Sequence, residues 1–139
     1  MDHQLDTRAG LLRLALGLTA TLAGLDKFFN ILADWTSYVS PVAVQLLPVS
    51  PQTFMYGVGI IELAVGIAIL GVAPVIGAYV ASAWLLLVAG NLVLGGFADI
   101  AVRDVVLSVS AFTLARLLQL RSEAPAASVA AAGARHVIA

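Results

Sequence analysis

The sequence predicts an all-α polytopic membrane protein: a four-transmembrane-helix bundle with a short interfacial helix between helices 1 and 2. Three observations predict it. The 139 residues are 61% hydrophobic and 11% charged, with a mean hydropathy of +1.02, whereas soluble domains run at roughly 45–50% apolar and about 25% charged. The charges are also unevenly placed. From Trp35 to Ala98 the one acidic or basic side chain is Glu62, far too little to clothe a water-exposed surface. Finally, Gly and Pro punctuate the apolar sequence at intervals that suit a bilayer crossing of about 20 residues.

The first span is expected over residues 11–33, with polar ends at Arg13 and at Asp26-Lys27. Its basic start resembles a signal peptide, but no convincing small-x-small cleavage site precedes Asp26, so it reads as an uncleaved first helix. A segment with Pro41, Pro48 and Pro51 follows. Within it, Ser40-Pro41 has the chemistry of a helix N-cap followed by N1. Trp35 and Tyr38 suit the headgroup level. The next apolar run, Thr53 to Ala98, would make a single helix roughly 69 Å long and must therefore fold back. Gly71-Val72-Ala73-Pro74 supplies a helix stop and a proline start, giving spans over 53–71 and 74–95. Gly95-Gly96 ends the third span, and a fourth is expected over 100–120. Residues 1–10 and the Ala-rich residues 121–139 are read as cytoplasmic tails, the latter weakly ordered.

Four spans put both termini on one side. Arg8, Arg13, Arg116, Arg121 and Arg135 fall on that side, and Lys27 and Arg103 towards the other. This bias predicts cytoplasmic N- and C-termini. The composition also excludes chemistry. There is no cysteine, so thiol relays, Fe–S clusters and disulfides are outside this chain's reach. The two histidines, His3 and His136, are tail residues, which removes bis-His haem and any intramembrane His-rich metal site. A net charge of −1 gives no footprint for nucleic acid.

The intramembrane charges carry the functional signal. Counted along each helix at 1.5 Å per residue, Lys27, Glu62, Asn91, Arg103 and Asp104 all fall in the outer half of the bundle. Helical phase puts them on faces of small residues: Gly17, Gly24 and Lys27 in helix one, Gly59, Glu62 and Gly66 in helix two. Gly77, Ala81, Trp84, Val88 and Asn91 share a stripe in helix three, as do Asp104, Ser108, Ala111 and Ala115 in helix four. Small residues mark packed helix faces, so these polar groups should point inward. Lys27 and Glu62 are close enough in depth to pair directly. Asp26, Glu62 and Asp104 exceed Lys27 and Arg103 by one acid, so either a proton is held, with Glu62 the favoured site, or Asp26 faces water. Two readings compete: a polar pin that fixes helix register, and a ligand or proton site. Arg13 and Arg116 are expected to snorkel at the inner edge, and Trp84 to pack in the core.

Gly24-Leu25-Asp26-Lys27-Phe28-Phe29 closing a first span, Glu62-Leu63-Ala64-Val65-Gly66 in a second, and Arg103-Asp104 opening a fourth resemble, in order and spacing, the DoxX-like small integral membrane proteins of bacteria. The resemblance covers about residues 8–121. It implies a four-helix bundle, and a role like that of relatives that are small subunits of membrane redox assemblies, thiosulfate:quinone oxidoreductase among them. By similarity Lys27, Glu62, Arg103 and Asp104 match the family's polar positions. Thiol–quinone chemistry does not carry over to a chain without cysteine.

The expected function is an accessory subunit of the bacterial inner membrane that anchors or stabilises a larger redox complex, and lines a quinone or lipid pocket in the outer leaflet. Asp26, Lys27, Tyr56, Glu62, Asn91, Arg103 and Asp104 form the expected polar cluster. No intrinsic cofactor or metal is expected. The expected partners are membrane lipid and other subunits or further copies of the chain. One alternative is a quinone-linked oxidoreductase subunit with Glu62 as proton carrier. Another is a small proton-coupled transporter.

Overall fold

The computed structural model describes the backbone of residues 2–137 and the side chains of Gln4 and residues 6–123. Five α-helices and two short irregular turns follow one another: α1 (Asp2–Asp26), a 3-10 turn (Trp35–Tyr38), α2 (Pro41–Leu46), α3 (Pro51–Ile67) continued by a π-helical turn (Ala68–Val72), α4 (Pro74–Leu94) and α5 (Ala98–Val137). Three helical stretches are long and apolar enough to cross a membrane: Asp6–Asp26, Pro51–Val72 and Pro74–Leu94. The fourth long helix, α5, carries Asp99, Arg103, Asp104, Arg116 and Arg121 along its length.

Helix ends follow local chemistry. Ser40 accepts from the Ala43 amide and is followed by Pro41. Ser50 accepts from Thr53 N–H and is followed by Pro51. Each pair satisfies an orphan donor and sets φ for the first turn. Helix α4 ends with Gly96 at φ 85°, Phe97 N–H bonding to Leu92 O and Gly96 N–H to Val93 O. This is the two-bond closure that a left-handed residue after the helix permits.

Two expected boundaries need correction. The first helix stops at Asp26 rather than at 33, because the Asp26 carboxylate turns the chain by accepting from the Ile31 and Leu32 amides, with Asn30 at a positive φ of 53°. The last helix does not stop at 120. Its backbone is helical to Val137, in keeping with the high helix propensity of its Ala-rich end. The His3 and His136 side chains lie outside the described residues.

The helices associate as two close pairs, α1 with α3 and α4 with α5. Glycines make the first pair intimate. A Cβ on Gly24 would lie 2.8 Å from Gly59 O, one on Gly59 would lie 2.7 Å from Gly24 O, and one on Gly66 would lie 2.7 Å from Thr21 N. The backbones therefore touch on the small-residue faces that phase had marked. In the second pair, Ser108 donates to Ser82 O at 2.8 Å, over Ala111 and Ala115, which are buried.

The π-helical turn joins the pairs. Ala73 N–H bonds to Ala68 O, and Pro74 has no N–H, so the Ile69 and Leu70 carbonyls lose their helical donors. Arg13 replaces both: its Nε donates to Ile69 O and its Nη2 to Leu70 O, each at 2.6 Å. The expected snorkelling of Arg13 thus gives way to capping of a neighbouring helix. Leu16, Val65, Ile69, Ala78, Ala81, Ala111, Leu114 and Ala115 form the core at this level.

Candidate binding cavity

Towards the other end the two pairs part. The chain between α1 and α3 closes over the gap, held at two points. Asp26 accepts from Ile31 N–H, Leu32 N–H and the Trp35 indole Nε1–H at 2.8–3.0 Å. Asn91, from α4, donates its Nδ2–H to Tyr38 O at 2.7 Å and accepts from Ser40 N–H at 3.0 Å. Tyr38 also stands edge-on to Phe97, with ring centroids 5.0 Å apart. The loop is strapped to both helix pairs.

Beneath it lies a cavity of about 700 Å³, within the range of roughly 300–1,000 Å³ usual for small-molecule sites. Most of its wall is aliphatic. Leu16, Val65, Ile69 and Ala81 of the core form its floor, and Trp35 and Tyr38 of the loop lie at its other end. Leu22 and Leu87 belong to the wall although they are 57% and 68% exposed. The cavity therefore reaches the apolar outer surfaces of α1 and α4.

The polar groups of the wall are few. Lys27 Nζ donates to Glu62 Oε2 at 2.5 Å, with side chains only 4% and 14% exposed. The same ammonium sits 3.8 Å from the centroid of the Trp35 ring, a geometry that spreads its charge over an aromatic face. Arg103 Nη2 lies 2.9 Å from Asp104 Oδ1. Asp104 is buried while its partner reaches outward. Trp84 presents a buried indole Nε1–H beside the Glu62 carboxylate.

Of the residues singled out from sequence, Lys27, Glu62, Asn91, Arg103 and Asp104 border this one cavity. Two do not. Asp26 stands behind the loop, its carboxylate accepting from three N–H donors. Tyr56 faces away and stacks on Phe28, with ring centroids 5.2 Å apart, because six residues of helix set it about 120° round α3 from Glu62. Trp84, expected in the core, belongs to the cavity wall instead. Its place on the stripe with Asn91 and Ala81 was the available signal. Trp35 suits the headgroup level by type, and its contacts to Asp26 and Lys27 have no sequence signature.

The family model named DoxX matches residues 9–95. That stretch runs through α1, α2, α3 and α4. The chain belongs to the DoxX family. No curated protein and no solved structure matches it. Within the DoxX match fall Lys27, Glu62, Trp84 and Asn91, whereas Arg103 and Asp104 lie beyond its end. Membership, together with three helices long and apolar enough to span, makes this a DoxX-family membrane protein.

Proposed function

We propose that this DoxX-family chain is an accessory subunit of a larger redox complex in the bacterial inner membrane, and that its cavity holds a quinone or a lipid in the outer leaflet. The observation that carries the reading is the cavity itself, about 700 Å³ of mainly aliphatic wall with a buried Lys27–Glu62 pair. Buried charge in a membrane bundle is costly, and it usually serves a site. A pocket with few convergent polar groups and long apolar walls suits a lipophilic molecule with a small polar head. The chain has no cysteine, so redox chemistry on such a ligand falls to a partner.

In this reading α5 is a fourth span, with both termini cytoplasmic. Arg8, Arg13, Arg116 and Arg121 gather at one end of the bundle, with Lys27 and Arg103 towards the other, and cytoplasmic ends carry the excess of basic residues. Helix α2 and its flanks lie across the outer surface. Leu46, Val44 and Val42 are exposed there, which suits an interfacial position.

Purification from native membranes in mild detergent tests the proposal. The expected result is a complex in which this chain co-migrates with a subunit bearing a redox centre. A lone monodisperse particle with no redox-active companion would overturn the accessory role.

A further inference from the structure

Resting on the reading of the cavity as a lipid pocket, we propose that it takes one acyl chain of a phospholipid through the cleft between α1 and α5. Arg103 and Asp99 at the mouth select a head that joins a phosphate to a primary ammonium, as in phosphatidylethanolamine. Helical phase locates the mouth. Leu22 is 57% exposed yet belongs to the cavity wall. It lies about 200° round α1 from Gly24, away from the face that packs on α3. On α5, Arg103 and Arg121 stand about five whole turns apart and so share a face. Arg121 reaches across to Asp6 of α1 at the inner end, so that face of α5 is turned to α1. The cleft is closed there by Arg121 and Asp6. Further out it opens between Leu22 and Leu107 into the cavity, with Arg103 on its rim. With α5 as a fourth span, the opening meets the acyl chains of the bilayer.

The charges at the mouth are ordered by depth. Arg103 directs Nε and Nη2 to one oxygen, Asp104 Oδ1, at 3.0 and 2.9 Å. Asp104 is buried and holds the guanidinium from within. A guanidinium carries five N–H donors in a rigid fork, so Nη1 keeps both of its own for a ligand, on a side chain that is 64% exposed. Such a fork matches phosphate oxygens. One turn nearer the start of α5, Asp99 is exposed on the same face. It enters no ion pair among the described residues. The two residues are about 6 Å apart along the axis, the cation deeper and the anion shallower. That is the order of charge in a phosphoethanolamine head whose chains point inward. Phosphatidylglycerol meets Arg103 but brings no cation to Asp99. Phosphatidylcholine brings a cation with no N–H to donate.

The test is native mass spectrometry of the delipidated full-length protein, titrated with palmitoyl-oleoyl phosphatidylethanolamine, phosphatidylglycerol and phosphatidylcholine, and separately with decylubiquinone. Wild type should bind the ethanolamine lipid about three- to fivefold more tightly than the other two, the scale of one exposed ion pair. Asp99→Asn should bring the ethanolamine and glycerol lipids to equal affinity. Arg103→Lys, which keeps a cation beside Asp104 and so keeps the fold, should weaken both by about tenfold through loss of the fork. Arg116→Gln, at the opposite end of α5, should change neither. Ala20→Phe should abolish lipid binding by filling the cavity. Equal affinity of wild type for the three lipids, or a preference untouched by Asp99→Asn and Arg103→Lys, overturns the headgroup assignment. Lipid binding that survives Ala20→Phe overturns the entry of the chain. Binding of decylubiquinone without any lipid overturns the inference and leaves the pocket standing, whereas a wild type that binds no probe overturns the pocket reading itself.

Discussion

Lys27 and Glu62 meet at 2.5 Å across the α1–α3 seam, in a wall where both side chains are largely withdrawn from solvent. Gly24 and Gly59 make the meeting possible by letting the two backbones touch just beside it. Charge and small residues are therefore one arrangement. The glycines bring the helices close, and the ion pair fixes which residues face each other.

Removing one partner should harm more than removing both. Lys27→Met or Glu62→Leu alone leaves a buried charge unmatched and should destabilise the bundle by about 3–5 kcal/mol, whereas the double variant should fall near wild type. Reversible unfolding in mixed micelles gives the four stabilities of the cycle. Additive losses would mean that the pair is not coupled.

The seam itself can be probed by a single methyl. Gly24→Ala and Gly59→Ala place a Cβ under 3 Å from the opposite backbone and should each lower stability by about 1–3 kcal/mol. Gly90→Ala, on α4 with nothing within 4 Å of the added atom, should be neutral or gain up to about 1 kcal/mol from helix propensity. Thermal denaturation of the three variants separates the cases.

Arg13 is predicted to be coupled to a proline it does not touch. Arg13→Met strips the Ile69 and Leu70 carbonyls of their donors and should destabilise by about 2–4 kcal/mol. Pro74→Ala returns an N–H to the chain four residues after Leu70. In that background the Arg13→Met loss should shrink by about 1 kcal/mol. An unchanged loss would remove the proline from the explanation.

The loop over the cavity depends on two side chains from different helix pairs. Asp26→Leu should raise amide exchange at Ile31 and Leu32, and Asn91→Leu at Ser40, by about 10-fold, the equivalent of one hydrogen bond near 1.4 kcal/mol. Amides of the α4–α5 seam should be unaffected. Hydrogen exchange followed by mass spectrometry resolves these segments.

Much of this was legible in the sequence, where it depended on local rules. The break at Gly71–Pro74, the Ser40-Pro41 helix start and the glycine faces of α1 and α3 follow from propensity and phase. So does the approach of Lys27 to Glu62, since both lie on those faces at similar depth. What was not legible depended on how distant segments meet. Asp26 ends α1 because loop amides fold back onto it, and nothing near residue 26 specifies that return. Arg13 is drawn to carbonyls that a π-helical turn and Pro74 have freed, a need visible only once the two helices are docked. Trp84 sits on the same stripe as Asn91, and an aromatic near the middle of an apolar helix gives no sign of whether it fills a core or borders a space. Tyr56 joins the polar residues by type alone, although helical phase turns it away from Glu62.

The proposed function rests on the space between the two helix pairs being a ligand pocket. Native mass spectrometry of the protein released from its own membranes tests this most directly, with Ala20→Phe as the comparison, since Ala20 borders the cavity. Wild type should carry a lipophilic adduct of one defined mass at near-unit occupancy, and Ala20→Phe should fold normally and lose it. Retention of the same adduct by Ala20→Phe, or a wild type carrying no defined adduct, would contradict the claim.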